Sequence, residues 1–247
     1  MTMIDETLEA THPEGEARKE SPTTLPVIRE STSLEAGSLH IDEEMLNLYQ
    51  GIESLLPHCP RKIVQFIGSQ EGEGTSTIAM EFARTAAFKI GKSVLLLDAD
   101  RVQPSHHHYF PVRLDTGWLE SVKSRRGIGG ALYQVQGSGF LVSSSSDGGP
   151  SSSDVFLSAS IDSFWNILRH RFDLIIVDSP PLTESSEGLA IAPKVDGVVI
   201  VVEAERTRWT VAENVKKRLG KVGGNILGIV FNKRRYYIPQ AIYERLR

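Results

Sequence analysis

Five short runs, apolar almost from end to end, constrain this chain more than anything else in it: IVQFIG at 63–68, SVLLLD at 93–98, FDLIIVD at 172–178, GVVIVVE at 197–203 and NILGIVFN at 225–232. A strand with one wet face alternates apolar and polar residues, whereas a strand covered on both faces does not. Runs of this length separated by segments of helical spacing predict a mostly parallel sheet with helices on both faces. That is a doubly wound, three-layer α/β/α domain. FLVS at 140–143 adds a weaker strand.

Helices are expected between these runs. At 41–55, Met45, Leu48, Ile52 and Leu55 recur at helical spacing, and Pro57 and Pro60 end the segment. This helix either packs on its own domain or joins two copies of the chain. Others are expected at 76–90, closed by Gly91, at 153–170 and at 208–222. Residues 1–37 are polar and rich in Glu, Thr, Ser and Pro. They bury too little apolar area to offset their ordering entropy and are expected to form a disordered tail before one domain at 38–247. The stretch SSSSDGGPSSSD at 143–154 is of low complexity and reads as a lid or a linker.

Bulk properties narrow the function classes. The 247 residues are 40% hydrophobic, enough for a substantial core. A net charge of −4 offers no general basic face for nucleic acid. The single cysteine, Cys59, permits no internal disulfide, which suits a reducing cytoplasm. The acidic N-terminus has no apolar signal-like core, and no run approaches the ~18 apolar residues needed to cross a bilayer. A cytoplasmic location is therefore expected, with any membrane role reached through a partner.

Chemistry concentrates where strands end. After IVQFIG comes Gly68-Ser-Gln-Glu-Gly-Glu-Gly-Thr-Ser-Thr77, a glycine-rich loop that opens a helix. Glycines let backbone N–H groups converge, and the helix N-terminus adds positive potential, so this is the setting of a phosphate-binding P-loop. In the usual motif a lysine follows the last glycine, then Ser or Thr for magnesium. Here Thr75 stands in the lysine position, followed by Ser76 and Thr77. A hydroxyl replaces a point charge, and losing a charge-assisted contact of this kind lowers rate or affinity about 100-fold or more. Glu71 and Glu73 add negative charge. The other reading of the loop is a glycine turn that binds nothing.

Two further acidic sites follow in chain order. Asp98 and Asp100, in LDAD, leave their strand on one side at its C-terminal end, where ligands of open α/β sheets sit. Carboxylates there suit magnesium or can orient an attacking hydroxyl; an Asp-rich turn is the alternative. Asp178 ends the apolar strand before Ser-Pro-Pro and suits a second magnesium contact through water.

Together these pieces resemble the bacterial tyrosine kinases of capsule and exopolysaccharide biosynthesis, the CpsD/CapB-like P-loop proteins within the wider MinD/ParA-like group. The resemblance rests on Gly72-Glu-Gly-Thr-Ser-Thr77, on VLLLDADRVQPSHH at 94–107 and on FDLIIVDSPPL at 172–182, and covers roughly 41–235. It implies a P-loop NTPase-like fold, ATP with magnesium, autophosphorylation on C-terminal tyrosines, and activation by a membrane-anchored polysaccharide chain-length regulator at the inner face of the membrane. By position it implies that Gly72, Glu73, Gly74, Thr75, Ser76 and Thr77 cradle phosphates. Ser76, Asp98 and Asp178 would hold the metal, Asp98 and Asp100 would activate the hydroxyl, and Asn232 would lie beside adenine.

Three departures lead to an expectation of weak or absent kinase activity. Thr75 replaces the lysine, the early signature lysine of the MinD/ParA-like group is missing, and no free tyrosine-rich tail follows. Tyr236, Tyr237 and Tyr243 read as packing anchors of a terminal helix. A non-catalytic regulator docked on the chain-length protein is the second expectation, a MinD/ParA-like positioning ATPase the third; the protein is also a candidate homo-oligomer. His106, His107 and His108 read as a loop rather than a metal site. Arg101 reads as a surface or interface ion pair, and Trp118, Trp165 and Trp209 read as core.

Overall fold

The structure, a computed structural model, describes residues 25–28, 38–101, 104–105, 109–110, 117–124, 128–145, 156 and 158–234. In chain order these form β1 (Val27–Ile28), α1 (Ser38–Leu55), β2 (Lys62–Gly68), α2 (Thr75–Arg84) running into a π turn at Thr85–Lys89, and β3 (Val94–Asp98). Then come α3 (Trp118–Ser124), β4 (Tyr133–Val135), β5 (Phe140–Ser144), α4 (Ala159–Arg171) and β6 (Leu174–Ser179). The last elements are α5 (Glu187–Ile191), β7 (Gly197–Glu203), α6 (Trp209–Lys221) and β8 (Ile226–Asn232).

All eight strands share one sheet in the order β1-β4-β5-β3-β6-β2-β7-β8. The six from β5 to β8 run parallel; β4 is antiparallel to β5, and β1 runs parallel to β4. The five apolar runs form the five strands expected of them. β2, β3 and β6 are buried at every position because each presents alternate residues to opposite helical layers. Val64, Phe66, Leu96 and Ile176 pack with Met45 and Ile52 of α1 and with Ile78, Met80 and Phe82 of α2. On the other face, Ile63, Leu95 and Val177 meet Ile161, Phe164 and Leu168 of α4, while Ile67, Val198 and Ile200 meet Ala212, Val215 and Leu219 of α6. Each such aliphatic or aromatic side chain contributes about 1.5–3 kcal/mol on full burial.

Several expectations are settled by this packing. Helix α1 lies on its own domain through Met45 and Ile52. Within the stretch expected as a structureless tail, Leu25–Ile28 are described; β1 pairs with β4, and Ile28 is buried, so the expectation does not extend to these four residues. Ser143, Ser144 and Ser145, expected to begin a loop, are buried at the end of β5, because its neighbour β3 continues beside them to Asp98. Trp118 and Trp165 are core, but Trp209 is 73% exposed: it opens α6 on the helix's outer side, and Ala212, Val215 and Leu219 form the buried stripe. Arg101 is not a surface pair, since its guanidinium and Glu187 lie 3.5 Å apart with both side chains largely buried. The histidine run and Tyr236, Tyr237 and Tyr243 lie outside the described residues.

Candidate nucleotide-binding site

Parallel pairing brings the strand-end residues to one rim. β2 lies between β6 and β7, and β3 lies beside β6 with Asp98 opposite Asp178 in register. The loop after β2 therefore faces the ends of β3 and β6. A cleft of about 600 Å³ opens there, lined by the loop from Gln70 to Thr77, by Asp100, Pro104, Ser105 and Tyr109, and by Ser179, Pro181 and Glu184.

The loop takes its shape from glycine and from one glutamate. Gly72 and Gly74 have φ of +81° and +85°, left-handed values that side chains with a Cβ disfavour. The Glu73 carboxylate does not face solvent as a repulsive surface charge. It folds inward and accepts hydrogen bonds from Ser69 N at 2.6 Å, Ser69 Oγ at 2.5 Å, Gln70 N at 3.0 Å and Thr207 Oγ1 at 2.6 Å. Gly74 is the N-cap of α2, and no side chain caps it. The first turn thus keeps the uncapped N–H groups and positive end that attract an anion. The Thr75 hydroxyl turns back toward β2 and would lie 2.6 Å from a Cβ at Gly68, so the lysine position holds a short group packed against the strand.

The acidic pair sits beneath the cleft. Asp98 accepts from Asp100 N at 3.0 Å and from Ser105 N at 2.8 Å, and the Ser105 hydroxyl lies 3.4 Å from Asp98 and 3.1 Å from Asp178. The indole N–H of Trp118 donates to the Asp98 carbonyl at 3.0 Å, tying this strand end to the aromatic cluster of Phe156, Phe164 and Trp165. Asp178 is fully enclosed. Burial first, then the Asp98 charge, pushes its carboxyl up to about 8, against the lowering effect of the Ser76 and Ser105 hydroxyls. Its Oδ1 is buried without a hydrogen-bond partner. A buried oxygen lacking a donor, beside a hydroxyl and a second carboxylate, is the setting a hard divalent cation completes.

Among the described residues no three His, Cys, Asp or Glu side chains gather to hold a metal by themselves. This is what magnesium needs least, because it is ordinarily held by one or two carboxylates, water and the phosphates it accompanies. Ser76, Asp98 and Asp178 fit that role, and the ion would offset charge on phosphate oxygens. Asp100 lines the cleft. Asn232 stands behind the loop: its Nδ2 donates to the Glu73 carbonyl at 2.9 Å and its Oδ1 accepts from Lys233 N at 2.8 Å.

Sequence reasoning missed four participants. Thr207 and Lys233 belong to none of the matching motifs and reach the site only through the fold, while Ser105 lies within the 94–107 run without anything there marking it as a site residue. Tyr109, whose hydroxyl donates to Thr77 Oγ1 at 3.1 Å, is one aromatic beside a histidine run and carries no sequence signal. The cleft mouth is acidic. Glu184 is raised from its usual range by burial and by the charges of Glu71 and Asp100.

No family model matches the chain. It is 27% identical over 173 residues to the tyrosine-protein kinase CpsD of Streptococcus agalactiae, covering 70% of this chain and 75% of CpsD. It is 24% identical over 196 residues to the succinoglycan biosynthesis transport protein ExoP of Rhizobium meliloti, covering 77% of this chain but 25% of ExoP. Among solved structures, the kinase domain of the Escherichia coli tyrosine kinase ETK superposes with a TM-score of 0.72 at 21% identity, over 80% of this chain and 78% of that one. The chimerical protein CapA2B2 gives 0.74 at 22%, over 86% and 94%. MinD of Aquifex aeolicus gives 0.55 at 22%, over 74% and 72%. At these identities the structural likenesses establish the fold.

Proposed function

We propose that this chain, a relative of the bacterial tyrosine kinases of capsule and exopolysaccharide synthesis, is a nucleotide-binding component of that synthesis, with weak or absent kinase activity. One observation carries the reading. An uncapped helix N-terminus and a glycine loop border a cleft shared with Asp100 and with Ser105, whose hydroxyl reaches the Asp98–Asp178 pair, while Thr75 supplies no cation. ATP would place its phosphates against the loop and the first turn of α2. Ser76, Asp98 and Asp178 would hold its magnesium. Asp100 or Asp98 would take the proton from an acceptor hydroxyl, and the reaction is slow because no lysine charge meets the phosphate being transferred.

A second reading, a regulator that does not hydrolyse, has support of its own: Glu73 satisfies the amides of Ser69 and Gln70 from within the loop. The resemblance favours a membrane-anchored chain-length protein as partner in both readings. It also favours action at the inner face of the membrane; no described helix is long and apolar enough to cross it. A MinD/ParA-like positioning role ranks last, since the kinase domains superpose more closely than MinD.

Calorimetric titration with ATP–Mg, together with an autophosphorylation assay, tests the proposal. Thr75→Lys is expected to bind about 10-fold tighter or better than the wild type, a charge-assisted contact being worth roughly 1.5–3 kcal/mol. Heat from neither protein would end the nucleotide reading. Autophosphorylation of the wild type at the rate of a lysine-bearing relative would end the claim of weak activity.

A further inference from the structure

The end of β8 touches the phosphate loop through Asn232 and Lys233, neither of which is among the residues lining the cleft. Asn232 donates to the carbonyl of Glu73, and the Lys233 ammonium donates to the carbonyl of Gly72. These are consecutive carbonyls in a loop without cis peptides. In a trans peptide the C=O and the following N–H point in opposite directions. Holding both carbonyls toward β8 therefore turns the N–H groups of Glu73 and Gly74 away from β8, and both residues line the cleft.

The contact is built on both sides. A Cβ at Gly74 would lie 2.2 Å from Asn232 Nδ2, so the close approach of the two requires glycine there. Lys233 has φ of +57°, an unusual left-handed value for lysine, and its N–H is held by Asn232 Oδ1. That turn sends the side chain back to the loop instead of along the strand direction. Glu203, at the end of the neighbouring β7, lies 3.3 Å from the ammonium and steadies it.

Resting on the nucleotide reading above, we propose that Asn232 and Lys233 are positioning residues. They preset the amides of the phosphate loop for a polyphosphate, Lys233 by holding the Gly72 carbonyl and Asn232 by holding that of Glu73. An ammonium on the Gly72 carbonyl polarises the Gly72–Glu73 peptide and makes its N–H a stronger donor toward an anion. Lysine is suited to the task as a compact point charge on a flexible stem.

The test compares wild type, Lys233→Met and Lys233→Arg as full chains, with two readouts. In ligand-free protein, hydrogen exchange of the peptide spanning 69–75 is expected to quicken several-fold in Lys233→Met and to return toward wild type in Lys233→Arg. The melting temperature should move by no more than about 2 °C, since the side chain is half exposed. By calorimetry, ATP–Mg affinity is expected to fall about 10-fold in Lys233→Met and to stay within about 3-fold in Lys233→Arg. Unchanged loop exchange in Lys233→Met overturns the clamp whatever nucleotide does. Quickened exchange with unchanged affinity overturns its role in polyphosphate binding. If the wild type binds no ATP, the nucleotide reading falls and the positioning role falls with it; the exchange result then shows only whether Lys233 holds the loop.

Discussion

The buried Asp98–Asp178 pair makes stability depend on pH in a direction opposite to that of an ordinary surface carboxylate. In the unfolded chain Asp178 titrates near ~3.9. In the fold, burial and the Asp98 charge carry it up to about 8. Between these values the folded protein holds a proton that the unfolded chain has lost, so stability falls as pH rises through the window and levels off above it. A displacement of about four pH units at about 1.4 kcal/mol each sets a ceiling of roughly 5–6 kcal/mol. Sharing of charge between two coupled groups, and local relaxation, bring the expected effect to about 2–3 kcal/mol. Asp178→Asn keeps the shape and removes the titration. Urea unfolding followed by tryptophan fluorescence, in chelator at pH 5, 7 and 9, should show the variant gaining that amount relative to wild type between pH 5 and pH 9. Titrations elsewhere cancel in the difference. A wild-type-minus-variant difference that stays constant across the three pH values would refute the reasoning.

Two further substitutions probe the supports of the site. Glu73→Gln keeps one oxygen for the Ser69 and Gln70 N–H groups but removes the charge and sets an NH₂ against the Ser69 and Thr207 hydroxyls, which must turn to accept; a loss of about 1–2 kcal/mol in urea unfolding is expected, and wild-type stability would show that the loop does not depend on the carboxylate. Trp118→Phe removes the donor to the Asp98 carbonyl but keeps most of the ring packing, for about 1 kcal/mol, whereas Trp118→Ala should lose about 3–5 kcal/mol; equal effects would show that the ring contributes nothing beyond the hydrogen bond.

The strand-end carboxylates were legible because a doubly covered strand is apolar until it emerges, so the polar residue that ends it, Asp98 or Asp178, marks the rim of the sheet. The glycine loop was legible because its positive-φ positions admit little else. Elements too short for a period to show, such as Tyr133–Val135 and Glu187–Ile191, were not. Trp209 was misjudged because an aromatic residue does not by itself say which side of a helix it occupies.

By itself the sequence determined the layered architecture, the order of the acidic strand ends and the lack of a lysine in the phosphate loop, since each depends on local pattern or residue identity. Tertiary structure alone decided that Glu73 turns inward, that Ser105 lies between two carboxylates and that Lys233 reaches Gly72 from 161 residues away. Those outcomes depend on which strands become neighbours and in what register. That choice is made by burial of the whole sheet, and no short stretch of chain encodes it.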